Sequence, residues 1–323
     1  MRWAYGLTTV PQRRAALLPQ TLKSLAKGGF DNPRLFVDGD NDSRSWESEF
    51  NLEITSRFPK IRVFGNWILA LAELFIRAPT ADRYAIFQDD LITYLNLRQY
   101  LEACAYPRDG YWNLYTFPSN QALCPVDGNG NRKIGWYIAH QWGKGALGLV
   151  FSREGVLALL SQRGEITERP LDPVRGWRSV DGAVSNAYTK LGIKEYVHNP
   201  SLVQHTGLKS TFNRPQPLAM SFRGEDFDAL SLINTATYNV QAGAAVYDGF
   251  PADARAGLTA GWQKEMETLR KAILDDQERM RVEPNPKRRR QLLAYIDKYT
   301  NELRALEVNN PPFVAPPEVT NPK

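Results

Sequence analysis

Short apolar runs closed by turn residues alternate with stretches of helical periodicity through roughly the first two-thirds of the chain. Residues 3–7 read as a first strand. Residues 11–26 follow as a helix with Leu17, Leu18, Leu22 and Leu25 along one face. Residues 34–37, 61–64 and 84–87 give three further strands, and residues 67–77 a second helix. After a less regular stretch, residues 147–151 and 196–198 read as strands and residues 153–161 and 179–191 as helices. Strands alternating with helices predict an α/β fold whose sheet is mostly parallel, with helices on both faces. The rhythm fades after about residue 213. Residues 261–282 and 287–307 then carry helical spacing on either side of Pro284-Asn285-Pro286, which predicts a C-terminal helical hairpin. The domain reading is a main domain over residues 1–250, the hairpin over 251–308 and a Pro-rich tail over 309–323.

The most informative polar group is Gln88-Asp89-Asp90, which closes the apolar run Tyr84-Ala85-Ile86-Phe87. In open α/β sheets ligands bind at the carboxyl edge, where these acids would lie. Adjacent side chains on an extended strand point opposite ways, so one carboxylate can hold a divalent cation while the other serves the substrate. The competing reading is a helix N-cap, with residues 91–101 as the helix.

Composition narrows the class without naming a chemistry. A hydrophobic share of 43% with 23% charged residues suits a soluble globular chain, and no apolar run approaches a membrane span. Residues 1–6 lack a signal-peptide core, so a cytoplasmic, unanchored protein is expected, in the host cytoplasm if phage-encoded. The two cysteines, Cys104 and Cys124, have neither metal nor redox spacing. A formal charge of +5 permits a polyanionic partner or a nucleotide-sugar site.

Several polar clusters fall where strands end: Thr8-Thr9-Val10-Pro11-Gln12-Arg13, Asp38-Gly39-Asp40, Gln88-Asp89-Asp90 and, much later, Pro200-Ser201-Leu202-Val203-Gln204-His205-Thr206-Gly207. This ordered set resembles the GT-A (Rossmann-like) class of nucleotide-sugar glycosyltransferases over roughly residues 3–212. The chain departs from the usual acidic motif at Gln88, where a carboxylate is more common. The resemblance implies Asp90 and His205 as ligands of Mn²⁺ or Mg²⁺, and Asp89 on the ribose or donor sugar. It implies Lys209 on the diphosphate, with Thr8, Thr9, Val10, Arg13 and Asp38 around the nucleoside of a UDP-sugar donor. A cation and a lysine there would stabilise the charge of a departing nucleoside diphosphate.

Asp181 lies near a helix start, where the resembling enzymes often carry the base that deprotonates the acceptor. Such a residue implies inversion; its competing role is again a helix cap. The run Gly143-Lys144-Gly145-Ala146-Leu147-Gly148 lets backbone approach a ligand closely, with Trp142, Lys144 and Gly145 as acceptor contacts. Trp136, Tyr137, His140, Gln141 and Trp142 form an aromatic-rich group before it, which could receive a sugar or an unpaired base. With the basic cluster at residues 287–290, this prefers a hydroxymethylated pyrimidine in DNA, of the kind some phages glycosylate, as acceptor. A glycan or protein acceptor, and a non-enzymatic basic nucleic-acid-binding module, are the alternatives.

Overall fold

The computed structural model describes residues 1–141, 143–162, 180–206 and 218–233, with isolated helical positions between Lys271 and Thr300. The chain divides into two units, Met1–Asp172 with Gly176–Ala244, and Pro173–Arg175 with Ala245–Lys323. Apart from those isolated positions, the expected hairpin and the Pro-rich tail lie outside the described residues.

The first unit opens with β1 (Trp3–Thr9), α1 (Leu18–Lys27), β2 (Arg34–Asp38), α2 (Ser43–Phe50) and β3 (Ile54–Arg57). It continues through α3 (Arg62–Arg77), β4 (Arg83–Gln88), β5 (Leu91–Thr93), α4 (Leu97–Ala103), β6 (Gly110–Asn113) and α5 (Pro118–Gln121). Then come β7 (Gly135–Ile138), β8 (Gly148–Ser152), α6 (Arg153–Ser161), α7 (Val180–Thr189), β9 (Lys194–Asn199) and β10 (Val203–His205). Eight strands form one sheet in the order β3-β2-β1-β4-β8-β6-β9-β7. The pairs β3-β2, β2-β1, β1-β4 and β6-β9 are parallel, whereas β7 and β8 run against their neighbours. The fold is therefore α/β with a mostly parallel sheet.

Period-two alternation on the central strands supplies both faces of that sheet. Leu35, Val37, Ala85 and Phe87 join Leu18, Leu25, Trp46, Leu97 and Leu101 in one apolar core. Phe36, Tyr84 and Ile86 point the other way and meet Trp67, Ala70, Leu71 and Leu74 of α3, with Val156 and Val184 of α6 and α7. On α3 those four residues recur at i, i+3, i+4 and i+7, the stripe an amphipathic helix presents to a sheet. Local signals close the helices. Asp42 accepts from the Ser45 amide at the start of α2, and Ser152 accepts from the Gly155 amide at the start of α6. Among the described residues, no helix is long and apolar enough to cross a membrane.

Three expectations need correction. Residues 11–26 are not one helix, because Pro11–Arg13 form a 3₁₀ turn and α1 begins at Leu18. Residues 61–64 are not a strand, because Arg62 opens α3, and the third strand is Ile54–Arg57. The run Ile61-Arg62-Val63-Phe64 is too short to distinguish the two periods, and Ile61 and Val63 remain exposed on the first helical turn. The true strand sits at the sheet edge and carries Thr55, Ser56 and Arg57, so it lacks an apolar signature. Residues 91–101 are not one helix either. They split into β5 and α4, and Asn96 precedes the helix, so Asp89 and Asp90 cap nothing.

Parallel β1 and β2 approach closely at Gly6, where an added Cβ would run into the Phe36 ring and crowd the Arg34 carbonyl. Gly6→Ala is expected to destabilise the unit by about 1–3 kcal/mol through overpacking. Urea unfolding measures it, and an unchanged midpoint would contradict the tight β1–β2 packing.

Candidate functional site

The parallel register of β1 with β4 pairs Thr8 with Gln88, so the chain segments leaving both strands emerge together at the carboxyl edge. Asp89 and Asp90 form the tight turn that follows β4, and both are buried, at 3% and 2% exposure. Thr9 Oγ1 donates to Asp89 Oδ2 at 2.5 Å. Just beyond β1, the Arg13 amide donates to the Val10 carbonyl at 3.0 Å and closes a 3₁₀ turn. That turn aims the Arg13 guanidinium at the acids, where Nη1 pairs with Asp89 Oδ1 and lies 3.1 Å from Asp90 Oδ2. The alternation expected of extended neighbours therefore fails here, because a turn lets both carboxylates converge on one cation. Burial raises the Asp89 carboxyl above its ordinary range, against the opposing pull of Arg13. For Arg13 burial acts downward, and the two carboxylates outweigh it, so its pKa is raised.

A second small sheet delivers His205. Directly after Asp90 the chain enters β5, which pairs antiparallel with β10, placing Val203 opposite Thr93 and His205 opposite Leu91. The Thr206 amide donates to the Asp90 carbonyl at 2.9 Å and extends the contact past the ladder. His205 Nδ1 comes within 3.8 Å of Asp90 Oδ2, and its ring packs edge-on to Tyr115 with centroids 5.1 Å apart. Among the described residues that nitrogen is buried without a hydrogen-bond partner. The gap is short enough for one cation with bonds of about 2.1 Å to reach both atoms. An imidazole nitrogen with a carboxylate oxygen is also a donor set that Mn²⁺ accepts. No group of three or more His, Cys, Asp or Glu side chains suited to a metal occurs among the described residues, so further ligands would come from substrate or water.

The remaining candidates separate into those near this centre and those that support it. Thr8 Oγ1 donates to the Phe87 carbonyl at 3.2 Å. Asp38 is buried, and its Oδ1 accepts from the Ile61 amide at 2.8 Å, holding the segment that leads into α3. Asp181 sits in the first turn of α7, where Oδ1 accepts from the Gly182 amide and Oδ2 from the Gly145 amide, each at 2.9 Å. It therefore fastens the glycine-rich loop, and Gly145 in turn lies against the Tyr115 ring. The Lys144 ammonium is 5.9 Å from the Phe117 ring centroid. Trp142 and Lys209 lie outside the described residues.

Trp136 and Tyr137, the described aromatic residues of the group before the loop, offer no exposed shelf. Trp136 is buried, stacks on Trp112 at 4.6 Å and meets the His198 ring edge-on, and Tyr137 is buried in a small core cluster. His198 is structural, its two ring nitrogens bonded to the Tyr100 hydroxyl at 2.6 Å and the Pro200 carbonyl at 2.7 Å. Ser119 bonds the His140 ring at 2.9 Å.

Three residues absent from the sequence reading complete the site's scaffold. Tyr115 bridges Gly145 and His205. Asn113, at the end of β6, donates to the Gly145 carbonyl at 2.8 Å and to Glu195 Oε1 at 2.7 Å. Glu195 on β9 is 1% exposed, and burial lifts its carboxyl to about 7, while Asn113 opposes and nearby Asp181 adds to the rise. The available signal was a lone Glu beside the apolar residues of a late strand, a pattern that fits an exposed edge equally well.

No family model and no curated protein matches the sequence. Among solved structures, the chain is similar to a protein described as a glucose-1-phosphate thymidylyltransferase from Bacillus anthracis in complex with a sucrose. The TM-score is 0.38 at 12% identity, covering 63% of this chain and 89% of that one. It is also similar to A197 from STIV, with a TM-score of 0.33 at 14% identity over 70% and 96% of the two chains. Likenesses this remote carry no functional argument.

Burial sets opposed pH dependences around the site. His140 and His198 are lowered to about 4, so stability is lost as pH falls from about 6.5 towards 4, where only the unfolded chain takes the protons. Glu195 behaves oppositely, because between about 4.5 and 7 the folded chain holds a proton that the unfolded chain releases. Its contribution to stability falls as pH rises through that window. Glu195→Gln is expected to gain about 3 kcal/mol relative to wild type between the two ends of the window. Denaturant unfolding at both pH values tests this, and parallel wild-type and variant stability curves would refute a neutral buried Glu195.

Proposed function

We propose that the protein is a metal-dependent glycosyltransferase of the GT-A type. It would move a sugar from a nucleoside diphosphate donor, with UDP-sugars first to be tested, to an acceptor hydroxyl. One observation carries the reading: Asp90 and His205, 115 positions apart in sequence, meet at the carboxyl edge of the parallel strands with 3.8 Å between Oδ2 and Nδ1. A structural role alone would not need an imidazole nitrogen buried beside a carboxylate without a hydrogen bond among the described residues.

Asp90 and His205 would hold the Mn²⁺ or Mg²⁺ ion. The ion would stabilise negative charge on the departing nucleoside diphosphate. Arg13 pairs with both acids and fixes their direction. Asp89 has one oxygen on Arg13 and the other on Thr9. Its part in this reading is therefore to orient Arg13 and the turn, with any sugar contact made through remaining lone pairs. Asp181 would accept the proton of the acceptor hydroxyl. Its amide hydrogen bonds from Gly145 and Gly182 hold the carboxylate in place beside the glycine-rich loop. A single carboxylate base acting this way implies inversion at the sugar carbon.

The acceptor reading starts from a hydroxymethylated pyrimidine in DNA, supported by the formal charge of +5. The buried Trp136 and Tyr137 remove the aromatic part of that support, and residues 287–290 lie outside the described residues. Incubating the protein with UDP-glucose, Mn²⁺ and hydroxymethylcytosine-containing DNA, followed by nucleoside mass spectrometry, should reveal a hexose-shifted nucleoside. An unchanged nucleoside profile across several donors would exclude DNA and leave glycan or protein acceptors.

Isothermal titration should show UDP binding that strengthens with Mn²⁺ in wild type and loses that dependence in Asp90→Asn and His205→Ala. A folded wild-type protein with no nucleotide binding at all would exclude the transferase and favour a binding module. Asp181→Asn should leave UDP binding within about twofold and lower turnover by roughly 10²–10⁴-fold, the usual contribution of a general base. Near-normal turnover would refute its role as base.

A further inference from the structure

The buried polar group behind the glycine-rich loop has no part in the chemistry above, yet it contacts Tyr115, whose ring packs on His205. Asn113 is fully buried at the end of β6. Its amide nitrogen faces three acceptors: the Gly145 carbonyl at 2.8 Å, the Lys144 carbonyl at 3.2 Å and Glu195 Oε1 at 2.7 Å. Its side-chain oxygen accepts from the Tyr115 amide at 3.0 Å. One side chain thus grips the backbone of Gly145 and of Tyr115 together.

Those two residues meet again through the Tyr115 ring. Gly145 has a φ of +81°, and a Cβ there would drive into that ring. The ring also packs on His205, edge-on at 5.1 Å and 76°. The ring is fully buried, so a push on one side has no solvent to relax into. On its far side the loop is tied to Asp181 through the Gly145 amide, so Asn113 and Asp181 hold Gly145 by its carbonyl and its N–H.

We infer that Asn113 is a positioning residue. It sets Gly145 against Tyr115 and thereby holds the His205 ring with Nδ1 facing Asp90. The inference rests on the proposed role of Asp90 and His205 for its metal consequence, whereas the ring placement stands on packing alone. Asn113 donates to neither ligand, and the side-chain route from it to the metal side runs through Tyr115.

The chain has three histidines, so their ring signals can be assigned by NMR using His→Gln variants. Asn113→Ala and Gly145→Ala are compared with wild type. The expected result is a shifted or broadened His205 signal in both variants, with His198 unmoved. In the presence of UDP, Mn²⁺ affinity measured by titration should fall at least tenfold in both variants. If Asn113→Ala does not fold, Gly145→Ala decides, since it reaches the same ring from the other side. An unmoved His205 signal with wild-type Mn²⁺ affinity in folded Gly145→Ala overturns the inference. If His205→Ala binds Mn²⁺ as well as wild type, the metal reading fails on its own, and the NMR comparison still judges the ring placement.

Discussion

Everything at this site depends on a three-residue antiparallel ladder, β5 with β10, that lies outside the main sheet. It begins one residue after Asp90 and ends on His205. Side chains alternate across a strand, so a slip of one residue would turn His205 away and present Gln204 or Thr206 instead. The register is guarded from both ends. Thr206 donates its amide to the Asp90 carbonyl, and the buried Ser201 hydroxyl donates to the Val203 carbonyl at 2.8 Å. Leu202 and Val203 are buried in the larger core, which leaves the short strand little freedom to shift.

The site separates two ways of burying charge. At the acid turn, Asp89 and Asp90 converge on one arginine, and a buried carboxylate pair is tolerable only with such a partner. Behind the glycine-rich loop the opposite solution holds. Among the described residues no ion pair joins Glu195, and burial lifts it to about 7, so its neutral form dominates at mildly acid pH. The paired solution gathers two carboxylates on one guanidinium at the carboxyl edge. The neutral one gives a rigid scaffold, with Asn113 joining Glu195, Gly145 and Tyr115.

Much of the fold could be read from the sequence because the central strands are long apolar runs bounded by turn residues. The bounds of β1, β2, β4, β8 and α6 lie within two residues of those expected. What stayed hidden had weak local signals. The edge strand β3 is polar, and β6 and β10 are too short for periodicity to speak. The tight turn after β4 concealed β5 behind an apparent helix start. The pairing of Asp90 with His205 is what the family resemblance implies, whereas the Arg13 ion pairs have no signal in the sequence. Nothing in a loop sequence reveals that a 3₁₀ turn will aim its guanidinium back at the end of a neighbouring strand. The aromatic cluster misled for a general reason, since Trp136 and Tyr137 alternate into cores on a strand whose pairing partners are unknown from sequence.

A divalent cation shared by Asp90 and His205 together with a nucleoside diphosphate would couple to an imidazole nitrogen, and pulsed EPR on the Mn²⁺·UDP complex of the full chain reads that coupling directly. Nitrogen modulation is expected in wild type and should disappear in His205→Gln while ³¹P coupling from UDP persists. Bound Mn²⁺ with phosphorus coupling and no nitrogen coupling in wild type would contradict the shared cation.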